Sequence, residues 1–447
     1  LDTAIRTAVA QRTVTALIVP HDVQKLDAVP QPPREHAKMS SAIGYNRPRI
    51  VPQERDLDAA AELLNAGSRV AILAGAGALH ATEELIAVAE TLGAGVAKAL
   101  LGKAAVPDDL PFVTGTVGWL GTRASNWMMK ECDTLLMIGS RFPYSEFLPK
   151  PGQARGVQID RDGRALALRY PFEVLLEGDS RETLRALLPK LNRKSHRDFR
   201  GRVEQQVRAW AEEAEATAKR AAEPIHPARV FSELSARAPD DCIFCGDSGT
   251  TTFWFAQQVR MRRGMQASLS GTLATMGSGI PYALAAKLNH PERPVIAMVG
   301  DGAMQMNGIN ALIPVAQRWK TWKDPRFVVL VLNNRELNYV TWEQRAMEGD
   351  PKFPASQDLF DFPYARYAEL LGLAALRVTD PEKLGAAWDE ALAARRPILL
   401  EVVGDPAVPT LPPELEPKLK EKLEQSLNQE PDADRLRAQL RKAGHES

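Results

Sequence analysis

Two uninterrupted apolar runs, Val295 to Val299 and Phe327 to Leu332, each stop at a turn of small or polar residues: Gly300-Asp301-Gly302 after the first, Asn333-Asn334 after the second. A run without polar alternation reads as a strand buried on both faces, the usual state of a parallel sheet covered by helices. The 30 residues between Gly302 and Asn333 suffice for a crossover helix between parallel neighbours. Asp301 then brings negative charge and Asn334 a neutral amide oxygen to strand ends. A hard divalent cation such as Mg²⁺ takes such oxygens when it also bridges phosphate oxygens. Gly300 and Gly302 let the backbone approach a phosphate closely, and Ala303 opens a helix whose first amides and dipole favour an anion. A lone Gly-Asp-Gly is an ordinary turn. Flanked by two buried strands and paired with an Asn, it reads as a magnesium–diphosphate site.

With these residues the chain resembles the thiamine diphosphate (ThDP) enzymes of the pyruvate oxidase and acetolactate synthase group, whose motif is GDG followed by NN. The gap between the two is longer than usual here, and the surplus is the polar stretch Arg318 to Arg326, read as a helix end and loop. Asn338 stands where the family has glycine, and since Asn tolerates a left-handed backbone the turn is expected to survive there. The resemblance extends to Cys245–Trp254, similar to the turn that anchors the diphosphate, and implies that Gly249 and Thr250 hold phosphate oxygens. It extends to Gly271–Pro281, similar to the segment that grips the aminopyrimidine, with Met276 as the apolar wedge that bends ThDP and the Ala274 carbonyl facing the exocyclic amine. It makes the Glu336 carbonyl the third protein ligand of the metal, beside Asp301 and Asn334. Val340 and Glu343 align with pocket positions of pyruvate oxidases, and we count them with Met276 as the catalytic candidates. Acetolactate synthases carry tryptophan where Glu343 stands, and Trp342 is next door, so one residue of alignment separates the two readings.

The first half has a strand and turn of its own, Arg69 to Gly77, leading into a helix from about Thr82. Gly75 and Gly77 are half of a dinucleotide fingerprint, which alone argues only for a strand-to-helix turn in an α/β domain. Lys98–Val106, Gly115–Gly121, Leu135–Tyr144 and Val157–Asp160 resemble, in order and spacing, the FAD-binding central domain of pyruvate oxidases. The resemblance implies that Gly118, Trp119 and Leu120 contact the flavin, that Ser140, Arg141, Phe142, Pro143 and Tyr144 wrap the cofactor, and that Asp160 receives a ribose hydroxyl. Related decarboxylases keep this domain without flavin.

Alternating strands and helices along the chain give the expected fold class: α/β, with two doubly wound parallel-sheet domains, a central FAD- or Rossmann-like one and a ThDP diphosphate-binding one, plus an N-terminal remnant. The expected boundaries are a remnant over 1–28, a proline-rich linker over 29–56, the central domain over 57–190, a charged helical linker over 191–224, the diphosphate and Mg²⁺ domain over 225–405 and a charged tail over 406–447. The remnant reads as one helix and one strand, Thr13–Pro20, which cannot bury a core. By the resemblance it closes a pyrimidine-binding domain whose glutamate activates the cofactor and most of which the sequence lacks. The chain is then a piece of a longer enzyme, or one subunit of a split one with a separate N-terminal-domain subunit. In the tail, Leu419, Leu423 and Leu427 form a narrow stripe among charges, open to peripheral membrane docking or to packing on protein.

Basic and acidic residues cancel, 56 against 56, and no basic stripe appears, so no nucleic-acid partner is expected. No apolar run spans a bilayer and the location is read as cytoplasmic. Cys242 and Cys245 match CxxC, but in a strand residues three apart face opposite ways, which argues against a metal or redox pair. The seven histidines show no metal-ligand spacing. The resemblance implies oxidative decarboxylation of pyruvate or a similar 2-oxo acid to acetate and CO₂, with ThDP, Mg²⁺ and FAD as cofactors and quinone as electron acceptor, in a homodimer or homotetramer. An acetolactate synthase-like carboligase and a binding-only subunit are the alternatives.

Overall fold

Twelve strands among the described residues pair into two six-stranded sheets. The structure is a computed structural model that describes residues 1–28 and 44–445; residues 29–43 of the expected linker and the last two of the tail lie outside the described residues. The first sheet holds β1 (Val70–Ala74), β2 (Gly95–Lys98), β3 (Val113–Thr116), β4 (Thr134–Ile138), β5 (Arg155–Asp160) and β6 (Val174–Glu177), in the order β3-β2-β1-β4-β5-β6. The second holds β7 (Ile243–Gly246), β8 (Gln266–Leu269), β9 (Val295–Gly300), β10 (Phe327–Asn333), β11 (Ala374–Val378) and β12 (Ile398–Val403), in the order β11-β12-β10-β9-β7-β8. All neighbours run parallel.

The expected class, two parallel sheets flanked by helices, is the observed one, and the reason lies in which way alternate residues face. Ile296, Met298, Val328, Leu330, Leu400 and Val402 join one core while Val295, Ala297, Val299, Val329, Val331 and Leu399 join the core on the opposite face. Both faces being dry, the central strands β9 and β10 are apolar up to their last residue. Cys242 belongs to the first of these cores and Cys245 to the second, so the two thiols point apart.

The topology fixes where a ligand can lie. In the second sheet the chain runs from β7 outward to β8, then returns to the other side of β7 as β9. The carboxyl ends of β7 and β9 flank that switch point, the usual crevice for ligands in open α/β sheets. In the first sheet the switch falls between β1 and β4.

Contacts divide the chain into Leu1–Ile50 and Val51–Ser447. The first unit contains the helix Asp2–Gln11 and a 3₁₀ turn at Val23–Lys25, but the expected strand Thr13–Pro20 does not form. A strand needs a ladder of a neighbour's N–H and C=O groups, this segment enters no ladder among the described residues, and Val14 and Ile18 are 94% and 86% exposed. In the tail the second of the two readings is the observed one. Helices Pro417–Leu427 and Ala433–Lys442 bury Leu423, Leu427, Leu436 and Leu440 against Trp342, Ala346, Leu411 and Leu415, with Leu419 packed at the edge. The leucine stripe is covered by protein and does not form a membrane-docking face. No helix among the described residues is long and apolar enough to cross a membrane.

Candidate functional site

Gly300 closes β9 and Asn333 closes β10, so the two turns leave adjacent strands at the same end of the sheet. Asp301 begins a helix that passes through a π-helical turn, Met304–Gly308, into Ile309–Arg318. Such turns, one residue wider than an α-turn, recur beside functional sites. The Asp301 carboxylate is buried and reaches across to the second turn: Oδ1 accepts from the Gly302 amide at 2.8 Å, Oδ2 from the Asn334 amide at 2.9 Å and from the Arg335 amide at 2.5 Å. Burial pushes its carboxyl up to about 7, against the pull of these amides. No Lys or Arg side chain among the described residues pairs with it, so a buried carboxylate sits where a cation would relieve it.

Asn334 is buried beside it, with Oδ1 accepting from the Glu336 amide at 3.2 Å. Asn333 points elsewhere, donating to Glu401 at 3.0 Å and Asp361 at 3.3 Å, and so anchors the strand end. The Glu336 side chain is taken by Asn338 and Lys352, leaving its carbonyl as the group it can offer a metal. No cluster of three or more His, Cys, Asp or Glu side chains suited to a metal occurs among the described residues. A cation here would rest on one carboxylate and neutral oxygens, which suits Mg²⁺ completing its shell with phosphate oxygens and water. The left-handed residue of this turn is Arg335, at φ 60°, and not Asn338. Asn338 instead opens the helix Asn338–Met347 and donates to the Pro406 carbonyl at 2.7 Å, which is why that position accepts a side chain.

Around this pair the other expected residues gather. Gly249, at φ 110°, precedes the helix Thr250–Gln258, whose N-terminus lies past the end of β7. A Cβ on Gly302 would meet the Met276 methyl at 2.9 Å, so Met276 touches the Gly-Asp-Gly turn. Ala274 is exposed and left-handed at φ 52°, an uncommon state for a residue with a Cβ and one that turns its peptide out of the usual course. Val340 is exposed and Glu343 half-buried on the helix Asn338–Met347. Burial raises the Glu343 carboxyl, and Glu343 in turn helps to raise the phenol of Tyr339, one turn earlier. Trp342 faces the other way: it is 0% exposed in the tail core and its Nε1 donates to the Pro406 carbonyl at 3.3 Å.

One residue of the site escaped the sequence reading. Asp247, fully buried at the end of β7, accepts from Ser248 at 2.9 Å, Gly277 at 2.9 Å and Gly279 at 2.7 Å, tying the turn before Gly249 to the segment that carries Ala274 and Met276. Its place in Gly246-Asp247-Ser248-Gly249, so like Gly300-Asp301-Gly302, was the available signal.

In the first sheet the expected flavin residues sit at carboxyl ends of β3, β4 and β5. Gly118, at φ 104°, lies against the Phe142 ring, Ser140 accepts from the Phe142 amide at 3.2 Å, and Arg141, Pro143 and Tyr144 form an exposed rim. Asp160 accepts from the Asp162 amide at 2.9 Å, and burial raises its carboxyl. The side chains of Trp119 and Leu120 turn away from that rim. Trp119 donates to the Thr410 carbonyl at 3.3 Å and Leu120 packs on the core of the second sheet. Gly75 and Gly77 pack onto Gly139 with no room for a Cβ, so these glycines serve turn-on-turn contact.

A model of the thiamine pyrophosphate enzyme central domain matches residues 57–187, and one of the thiamine pyrophosphate enzyme C-terminal TPP binding domain matches residues 247–402. Thiamine pyrophosphate is ThDP under its other name. The chain is 32% identical over 413 residues to a putative thiamine pyrophosphate-containing protein, YdaP, of Bacillus subtilis, covering 92% of this chain and 69% of that one. It is 29% identical over 418 residues to a probable acetolactate synthase large subunit of Methanococcus aeolicus, covering 88% and 68%. It is 26% identical over 419 residues to the pyruvate oxidase of Lactiplantibacillus plantarum, covering 92% and 67%. The chain belongs to the thiamine pyrophosphate enzyme family.

Proposed function

We propose that this chain serves a ThDP- and Mg²⁺-dependent oxidoreductase of the cytoplasm that converts pyruvate, or a similar 2-oxo acid, to acetate and CO₂. With pyruvate, one water is consumed, and two protons and two electrons are released, FAD taking the electrons and passing them to a quinone. The observation that carries the oxidase reading is the opposite orientation of neighbours. Trp342 is buried in the tail core, whereas Glu343 lies on the side of the helix that carries Tyr339, whose Cβ is 4.0 Å from where a Cβ on Gly249 would stand. Of the two residues, the carboxylate is the one available to a substrate, as in pyruvate oxidases.

Asp301, Asn334 and the Glu336 carbonyl would hold Mg²⁺; Gly249, Thr250 and the turn from Gly300 through Ala303 would hold the diphosphate. Ala274 and Met276 would set the ring orientation. Bound ThDP supplies the nucleophilic carbon and electron sink that make loss of CO₂ from a 2-oxo acid feasible. Glu343, its carboxyl raised by burial, keeps a proton to higher pH than an exposed glutamate and can hold or deliver it beside the substrate, with Val340 as an apolar neighbour. Gly118, Ser140 to Tyr144 and Asp160 would receive the flavin, with Trp119 and Leu120 contributing through their main chain. A homodimer or homotetramer, completed by a pyrimidine-binding domain in the same chain or in a separate subunit, is part of this reading.

A carboligase joining two 2-oxo acids is the second reading, favoured by the relative named as a probable acetolactate synthase. Pyruvate given to the complete enzyme separates the two: acetate with a reduced dye acceptor supports the oxidase, acetolactate the carboligase. The cofactor site itself is tested by calorimetry. Asp301→Ala should abolish Mg²⁺-dependent ThDP binding, and unchanged affinity rejects the site.

A further inference from the structure

The polar cluster formed by Lys98, Lys103 and Asp108 has no place in the function above. Lys98 and Lys103 are 0% and 3% exposed in their side chains and Asp108 9%. Two ammonium groups against one carboxylate leave net positive charge in the interior, a costly arrangement. Desolvation lowers both lysines, Lys103 to about 8.

Lys98 Nζ is satisfied by Asp108 at 2.6 Å and by the Val106 carbonyl at 3.1 Å. Lys103 Nζ lies 3.8 Å from Asp108 and donates to the Ala256 carbonyl at 3.0 Å, in the last turn of the helix Thr250–Gln258. That carbonyl also accepts from Thr116 at 3.3 Å, and beyond the helix Asp108 exchanges two main-chain-directed bonds with Met261, each 2.7 Å. A helix's C-terminal end carries partial negative charge and its N-terminal end partial positive charge. The excess cation therefore sits on the negative end of the very helix whose positive end follows Gly249. The same loop touches the other cofactor segment: a Cβ on Gly271 would fall 2.6 Å from Leu101 Cγ.

We propose that Lys103 is a positioning residue for the anion turn at Gly249 and Thr250: from the loop after β2 it pins the far end of the helix and so sets where the helix's first amides point. This rests on the ThDP reading above. Removing it should leave the fold intact, because Asp108 keeps Lys98 and the Ala256 carbonyl keeps Thr116.

The test is calorimetric ThDP affinity at saturating Mg²⁺ on the full chain, with cofactor-free thermal unfolding alongside. Lys103→Met should bind ThDP at least 10-fold more weakly while unfolding as one cooperative transition, and Lys103→Arg should recover most of the affinity. A folded Lys103→Met with wild-type affinity overturns the proposal. If Lys103→Met does not fold, Lys103→Gln, which keeps a polar end but removes the charge, decides in the same way: weakened binding supports, unchanged binding overturns. Wild-type chain that binds no ThDP refutes the underlying function instead, so the two failures are told apart.

Discussion

Arg345 and Glu430 form a buried ion pair, Nε to Oε1 at 2.7 Å, with 3% and 4% of their side chains exposed. The same Glu430 oxygen accepts from the Lys352 amide at 2.9 Å, and Lys352 Nζ bonds the Glu336 side chain beside the candidate metal turn. The tail is thereby wired to the helix carrying Val340 and Glu343. Removing one partner of such a pair strands a buried charge, so Glu430→Ala should cost about 3–5 kcal/mol of stability by denaturant unfolding, whereas replacing both partners by apolar residues of similar volume should cost much less.

Asp247 accepts three main-chain amides, of which those of Gly277 and Gly279 would otherwise be buried without partners. Asp247→Ala should destabilise the chain by about 2–4 kcal/mol, and hydrogen exchange should accelerate at Gly277 and Gly279 before it does in β9 or β10. Unchanged protection there would mean the two turns hold together without the carboxylate.

His226 N-caps the helix Pro227–Arg237 with a ring nitrogen, Nδ1 accepting from the Ala228 amide at 3.1 Å, and burial lowers its pKa to about 3. The folded state therefore binds a proton less readily than the unfolded one, which titrates near 6.5. The contribution is absent above that pH, and stability falls as pH drops from about 6.5 toward 3. Between pH 6.5 and 5 the loss should be at most roughly 2 kcal/mol. His226→Asn keeps a capping acceptor without the titration, so its unfolding free energy should depend less on pH in this window.

Glu343→Gln keeps the size of the side chain and removes its proton. In the complete enzyme it should lower kcat for pyruvate by about 10²-fold and flatten the alkaline limb of the pH–rate profile, with ThDP affinity retained. Unchanged kcat would transfer the role to another group.

The sheet class and the Asp301–Asn334 pairing were legible because doubly buried strands read as long apolar runs, and because Gly-Asp-Gly and Asn-Asn at the ends of two successive runs meet when those strands pair in parallel, as β9 and β10 do. Asp247 was not, since a carboxylate that bridges turns in different parts of the chain leaves no periodic trace. Asn338 misled for a related reason: an Asn fits a left-handed turn, yet the left-handed residue is Arg335, and Asn338 is the first residue of a helix with its side chain donating to the Pro406 carbonyl.

Local chemistry, read along the chain, determined which residues could form strands, turns and an oxygen-rich end. Only tertiary structure buried Trp342 and left Glu343 half-buried, turned Leu423 and Leu427 inward, and left Thr13–Pro20 without a ladder. Each of those outcomes depends on what a side chain or a backbone edge meets far away in sequence, and burial against a distant neighbour is a property of the packed molecule, not of the residues taken in order.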